Sequence, residues 1–169
     1  MKLKNTLLVT ALALAVFTGC KDKEDNETID PRTDTQNVQG EVSGVWTKGS
    51  TYEVSGDIII PAGQSLTIEP GVTIVMDTTA KPEVIVLGNL YMTGTKDNQI
   101  RITVPAGART EKNKFGKLWG GILAAPSCSE LVMDHVIMEY GGATTTESST
   151  SVKQGLYKAE SGANVPALW

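Results

Sequence analysis

Residues 57–77 read DIIIPAGQSLTIEPGVTIVMD, and their apolar residues fall at every second place: Ile58 and Ile60, Leu66 and Ile68, then Val72, Ile74 and Met76. A period of two is the signature of strands with one buried face. The runs are separated by Pro61-Ala62-Gly63 and Pro70-Gly71, where Pro presets φ and Gly admits backbone angles that a continuing strand excludes. The pattern recurs. A second block has strand patterns over residues 84–87, 90–93 and 100–104, in which Val84, Val86, Leu90 and Met92 share one parity and Ile100, Ile102 and Val104 follow. A looser third block holds Gly120-Gly121-Ile122-Leu123, then residues 131–133 and 136–140 before Gly141-Gly142. Corresponding strands thus return about every two dozen residues, a period that signals stacked repeats, with a loop at residues 105–117 lengthening the third interval.

One such block cannot stand alone. Half a dozen inward aliphatics contribute roughly 1.5–3 kcal/mol each, against about 1–2 kcal/mol of backbone entropy for every residue ordered. The blocks are therefore expected to stack, each hydrogen-bonded to the next along parallel strands and sharing one core. Residues 155–157 and 164–169 look like the opening of another block with no polar cap after it, so the repeat domain, placed at residues 42–169, is expected to continue past Trp169.

The chain has 169 residues, enough for one domain of ordinary size, and with 5% aromatic residues its core must be aliphatic. Its 15 basic and 19 acidic residues give a net charge of −4, so a global basic footprint is absent and nucleic acid is not an expected partner. Cys20 and Cys128 stand in no metal-ligand spacing with the single His135, and no metal or cofactor is expected.

Residues 1–19 carry Lys2 and Lys4, an apolar run from Leu7 to Phe17, then small Thr18 and Gly19 before Cys20. That is the layout of a secretory signal, and the run is too short for the roughly 20 apolar residues a membrane span needs. Residues 21–40 turn polar and charged, with Ile29 and Val38 almost their only aliphatics, which reads as a linker. The folded part is expected to open near residues 42–54, where Val45, Trp46, Tyr52 and Val54 flank the turn Thr47-Lys48-Gly49-Ser50 as a short hairpin.

These residues carry three resemblances. Phe17-Thr18-Gly19-Cys20 resembles a bacterial lipobox, which implies that Cys20 is the lipidated first residue of the mature chain, with residues 20–41 as a lipid-anchored charged linker; the alternative is an ordinary secretory peptide. The acidic run Lys21-Asp22-Lys23-Glu24-Asp25 resembles the export tag of surface lipoproteins of Bacteroidetes-type bacteria, its alternative being a solvated spacer. Leu66 to Val72 (LTIEPGV), Val86 to Thr95 (VLGNLYMTGT), Trp119 to Ile122 (WGGI) and Met138 to Gly142 (MEYGG) are similar to surface lipoproteins with right-handed parallel β-helices of the pectin-lyase-like superfold. The resemblance implies an all-β, right-handed parallel β-helix of about three to four rungs, behind a signal peptide and a disordered linker. It implies an outer-membrane, surface-exposed location, the membrane being contacted through the lipid.

That superfold hosts enzymes and non-enzymes, so function has to be read from a site. Lyases and hydrolases of this fold cluster acids and a basic residue on adjacent rungs, and strand acids here are sparse. Glu69 precedes Pro70-Gly71 as a turn residue, Asp134-His135-Glu139 reads as structural, and Cys128 lacks an activating base. The loop with its flanks is the distinctive feature: Arg101, Arg109, Lys112, Lys114 and Lys117 stand against Glu111, beside Phe115 and Trp119. Arg109, Lys112, Lys114, Phe115, Lys117 and Trp119 form a candidate surface for an acidic glycan, the cations meeting carboxylates or sulfates and a ring stacking on a sugar face; the alternative is a solvated loop beside a core Trp. The tract from Thr144 to Ser151 reads as a flexible loop. The expected function is a non-enzymatic envelope scaffold for adhesion to polysaccharide or to host or envelope surfaces. The alternative is a polysaccharide lyase or glycoside hydrolase whose active site lies beyond residue 169.

Overall fold

The computed structural model describes residues 35–157. The expected signal peptide, Cys20, most of the expected linker and residues 164–169 lie outside the described residues. The described residues form mostly short strands, and every strand pairing among them is parallel. After β1 (Thr35–Glu41) and β2 (Gly44–Trp46) come β3 (Thr51–Ile60), β4 (Ser65–Ile68) and β5 (Thr73–Met76). The next turn of the pattern is β6 (Val84–Val86), β7 (Asn89–Thr93) and β8 (Ile100–Thr103), and the last is β9 (Ile122–Ala124), β10 (Leu131–Asp134) and β11 (Val136–Met138).

The blocks read from the sequence lie over one another in register. Ile58 pairs with Val84 and Val84 with Ile122; Leu66 pairs with Leu90 and Leu90 with Leu131; Ile74 pairs with Ile102 and Ile102 with Met138. The four-stranded sheet runs β10-β7-β4-β2, and the larger, curled sheet runs β11-β8-β5-β3-β6-β9 with β1 also against β3. The curl comes from β3, whose first half (residues 51–54) pairs with β5 while its second half (residues 58–60) pairs with β6. Every parity residue of the first two blocks is buried, so the aliphatic ladders close one core.

Turns follow the punctuation. Gly71 takes φ +79°, a left-handed conformation that glycine adopts without a Cβ clash, and its N–H donates to Asn98 O at 3.0 Å, tying one corner to the next. At Gly88 the constraint is space, because a Cβ there would lie 2.2 Å from Gln64 O and 2.3 Å from Pro61 O.

Three expectations are corrected. The hairpin over residues 42–54 does not form: β2 pairs with β4 and β3 with β1, β5 and β6. Its turn makes a corner instead, with Ser50 N–H on Thr47 O at 3.2 Å, and the Trp46 and Tyr52 rings stack at 4.2 Å inside the core. The last part of the expected linker is β1, a strand with only Val38 half-buried. Backbone pairing to β3 holds it, and polar side chains do not oppose a strand added at an edge.

The Ser/Thr tract is the third correction. Ser151 begins the buried side of a helical turn, α1 (Thr150–Lys153), and its N–H and hydroxyl both donate to the Glu83 carboxylate at 2.8 Å. Thr150 Oγ1 donates to Asp57 Oδ2 at 2.5 Å, while Asp57 Oδ1 accepts from Glu83 N at 2.7 Å. The segment covers a second, outward apolar ladder, Ile59-Ile85-Leu123, with Leu156 and Tyr157 packed there.

Candidate functional site

The loop at residues 105–117 is anchored and partly helical. Two 3-10 turns, Ala106–Ala108 and Glu111–Asn113, shape it. Arg109 Nε donates to Val104 O at 2.7 Å, satisfying a carbonyl at the loop's base, and Asn113 Nδ2 donates to Ala108 O at 2.9 Å, tying its two 3-10 turns together. Beyond it Leu118 N–H donates to Tyr140 O at 2.8 Å, fastening the exit to the last block.

Of the six candidate glycan contacts, five lie exposed on this loop: Arg109, Lys112, Lys114, Phe115 and Lys117. Phe115 is 86% exposed, and Lys114 approaches Glu111 only at 3.8 Å. Trp119 is corrected. It is fully buried with Nε1 donating to Glu139 O at 2.7 Å, so its ring belongs to the core and cannot stack on a sugar. Arg101 is also engaged, 2.8 Å from Glu139. Burial pushes the Glu139 carboxyl up, but the Arg101 hydrogen bond and the charges of Arg101 and Arg109 outweigh it and hold its pKa below the ordinary value.

Asp134, His135 and Glu139 do not act as one group. His135, with φ 49°, turns the corner between β10 and β11 and places Nδ1 2.7 Å from Asp134 Oδ1, whereas Glu139 is taken by Arg101. Cys128 is a half-buried free thiol whose Sγ lies 3.4 Å from Glu130 O. Glu69 serves its corner as expected, accepting from Lys48 N at 2.8 Å.

Two clefts flank the loop. One, of about 390 Å³, is lined by Glu111, Lys114, Glu139 and Tyr140. The other, of about 410 Å³, lies where the outward face of β3 and β5 meets the start of the loop. Asn37, Glu53, Ser55, Asp77 and Arg109 supply its polar lining, and Val75, Pro105 and Ala106 much of its apolar lining. Its volume falls in the range of small-ligand sites, and its mixture of a few polar groups on apolar walls is typical of them.

Sequence reasoning missed this second cleft because Asn37, Glu53 and Asp77 belong to different strands or their ends. Register brings them together: Asn37 pairs with Glu53 and Glu53 with Val75, two residues before Asp77. The available signal was parity, since Glu53, Val75 and Asp77 stand on the odd, outward positions of a pattern whose even positions are buried. Among the described residues no group of three or more His, Cys, Asp or Glu side chains is placed to hold a metal ion, and no helix is long and apolar enough to cross a membrane. No protein-family model, curated protein or solved structure matches the chain.

Proposed function

We propose that the chain is an envelope lipoprotein whose parallel strands coil as a right-handed β-helix of the pectin-lyase-like kind, a rigid, non-enzymatic scaffold for glycan binding or adhesion. The unbroken register from the first block to the third supports the coil: each strand position meets its counterpart one block later. The lipobox-like Phe17-Thr18-Gly19-Cys20 supports the anchor, with Cys20 lipidated and the mature domain held at the outer membrane surface. Several acyl chains, at about 0.8 kcal/mol for each buried methylene, anchor where one chain binds reversibly.

The observation that carries the binding reading is the loop, anchored at both ends, that presents exposed Lys112, Lys114 and Phe115 on an otherwise acidic protein. Cations on a fixed loop attract carboxylated or sulfated polysaccharide through salt-sensitive contacts, and the ring adds apolar area. Affinity electrophoresis through acidic polysaccharide tests this. The wild type is expected to be retarded at low salt and released by added salt, and the Lys112→Ser, Lys114→Ser, Lys117→Ser triple variant to migrate freely; equal retardation of the two proteins refutes it. The anchor is tested separately by fatty-acid labelling: Cys20→Ala should lose the label and leave the membrane fraction, and an unmodified wild-type cysteine would sink the lipoprotein assignment.

A further inference from the structure

The cleft at the base of the loop differs in chemistry from the loop above it. On its strand wall Asn37, Glu53 and Val75 are register partners on three adjacent strands, spaced about 4.8 Å apart. Ser55 and Asp77 stand two residues further on, and Asp77 N–H is tied to Val54 O at 2.9 Å, which continues the same register. Pro105, Ala106 and Arg109 form the facing wall. Strands hold functional side chains in place better than loops do, so most of this grid is pre-organised.

Each of its charged groups keeps polar atoms open to a ligand. The Glu53 carboxylate makes no hydrogen bond or ion pair to another described residue. Asp77 Oδ1 accepts from Thr79 N at 2.7 Å and Ala80 N at 2.6 Å, which fixes the carboxylate and leaves its second oxygen without a donor among the described residues. Arg109 spends Nε on Val104 O, and its two terminal nitrogens donate to no described residue. Two carboxylates and one guanidinium therefore line one cleft without closing on each other. The excess of one negative charge disfavours an anionic guest and favours a cationic one.

We infer that this cleft binds an amino-sugar unit, a hydroxylated ring bearing a free ammonium. Glu53 and the open oxygen of Asp77 accept from the ammonium and a neighbouring hydroxyl, since carboxylates accept only. Arg109 donates to a hydroxyl or ring oxygen, and Val75, Pro105 and Ala106 meet the C–H face of the ring. The inference rests on the glycan-binding reading above and selects a ligand of opposite charge from the one assigned to the loop, so the two sites fail separately.

The test is calorimetric titration of the full chain with a glucosamine oligosaccharide, its N-acetylated counterpart and an oligogalacturonate. The glucosamine oligomer is expected to bind at least about threefold more tightly than the N-acetylated one, which lacks the charge. Glu53→Gln, an isosteric change at an exposed position without partners, should weaken binding by about three- to fivefold and erase the preference for the amine. Arg109→Met should weaken binding of both neutral and amine oligomers. The loop variant with Lys112, Lys114 and Lys117 changed to Ser should keep glucosamine binding while losing acidic polysaccharide. Tighter binding of oligogalacturonate than of the glucosamine oligomer by that loop variant, no binding of the glucosamine oligomer, or unchanged glucosamine affinity in Glu53→Gln overturns the inference.

Discussion

Ser151→Ala is the sharpest probe of how the Ser/Thr segment is held. Ser151 is fully buried and Glu83 is 5% exposed, and both carboxylate oxygens take their donors from Ser151, the amide and the hydroxyl, at 2.8 Å each. Removing the hydroxyl leaves the amide bond and strands Glu83 Oε1, an oxygen of a charged group with little access to water. A hydrogen bond to a charged partner contributes about 1.5–3 kcal/mol, and a buried acceptor left without a donor accounts for much of that range. The expected loss is about 2 kcal/mol in urea unfolding, visible as a lower midpoint at unchanged slope. Thr146→Ala, at an exposed position of the same segment, should stay within about 0.5 kcal/mol of wild type. In a Glu83→Ala background Ser151→Ala should cost under about 0.5 kcal/mol, because nothing is left to strand; the cycle then isolates the pair. Amide exchange at Ser151 should report protection close to that of the core strands. A Ser151→Ala protein as stable as wild type, or a wild-type chain whose residues 144–151 exchange and are cut by protease as a free loop, refutes the clasp.

Three other outcomes follow from the packing. Gly88→Ala should destabilise by about 3 kcal/mol by thermal or urea unfolding, since its Cβ would meet two backbone oxygens that cannot rotate away; a loss under about 1 kcal/mol would show that the corner yields. Leu90→Ala, in the middle of the Leu66-Leu90-Leu131 ladder and 1% exposed, should cost about 3–5 kcal/mol, whereas Phe115→Ala should leave stability within about 0.5 kcal/mol and reduce polysaccharide retention. Glu139 has a lowered folded pKa, so its contribution is present above the unfolded carboxyl value and is lost as pH falls through the lower folded one. Both partners are about a third or more exposed, so Arg101→Met should flatten the acid limb of a stability-versus-pH curve by under about 1 kcal/mol and leave its neutral limb parallel to wild type; an unchanged acid limb would exclude the pair as its source.

The alternation in DIIIPAGQSLTIEPGVTIVMD and its two later echoes determined the strands, their inward residues and the need to stack, because a period of two can bury only one face of an isolated strand. What alternation does not carry is what lies on the other face. Ile59, Ile85 and Leu123 sit at outward positions inside continuous apolar runs (III, VIVL, IL), a sign of burial on both faces that becomes legible once a segment folds back to cover them. The covering segment is polar in composition, so its order rests on Asp57 and Glu83, each far away in sequence and supplied by other turns of the chain. Trp46 and Tyr52 likewise looked like two arms of a hairpin, since sequence neighbours are the default partners; each strand found a better ladder one block later, and the rings stacked across the corner. The site divides the same way. The cations and Phe115 of the loop are contiguous and were readable, whereas Trp119 is separated from them only by which side of the chain faces the core. Glu53 and Asp77 share a cleft because parallel register sets successive strands side by side, and Arg109 joins them from the loop, a relation between distant positions that only the tertiary structure decides.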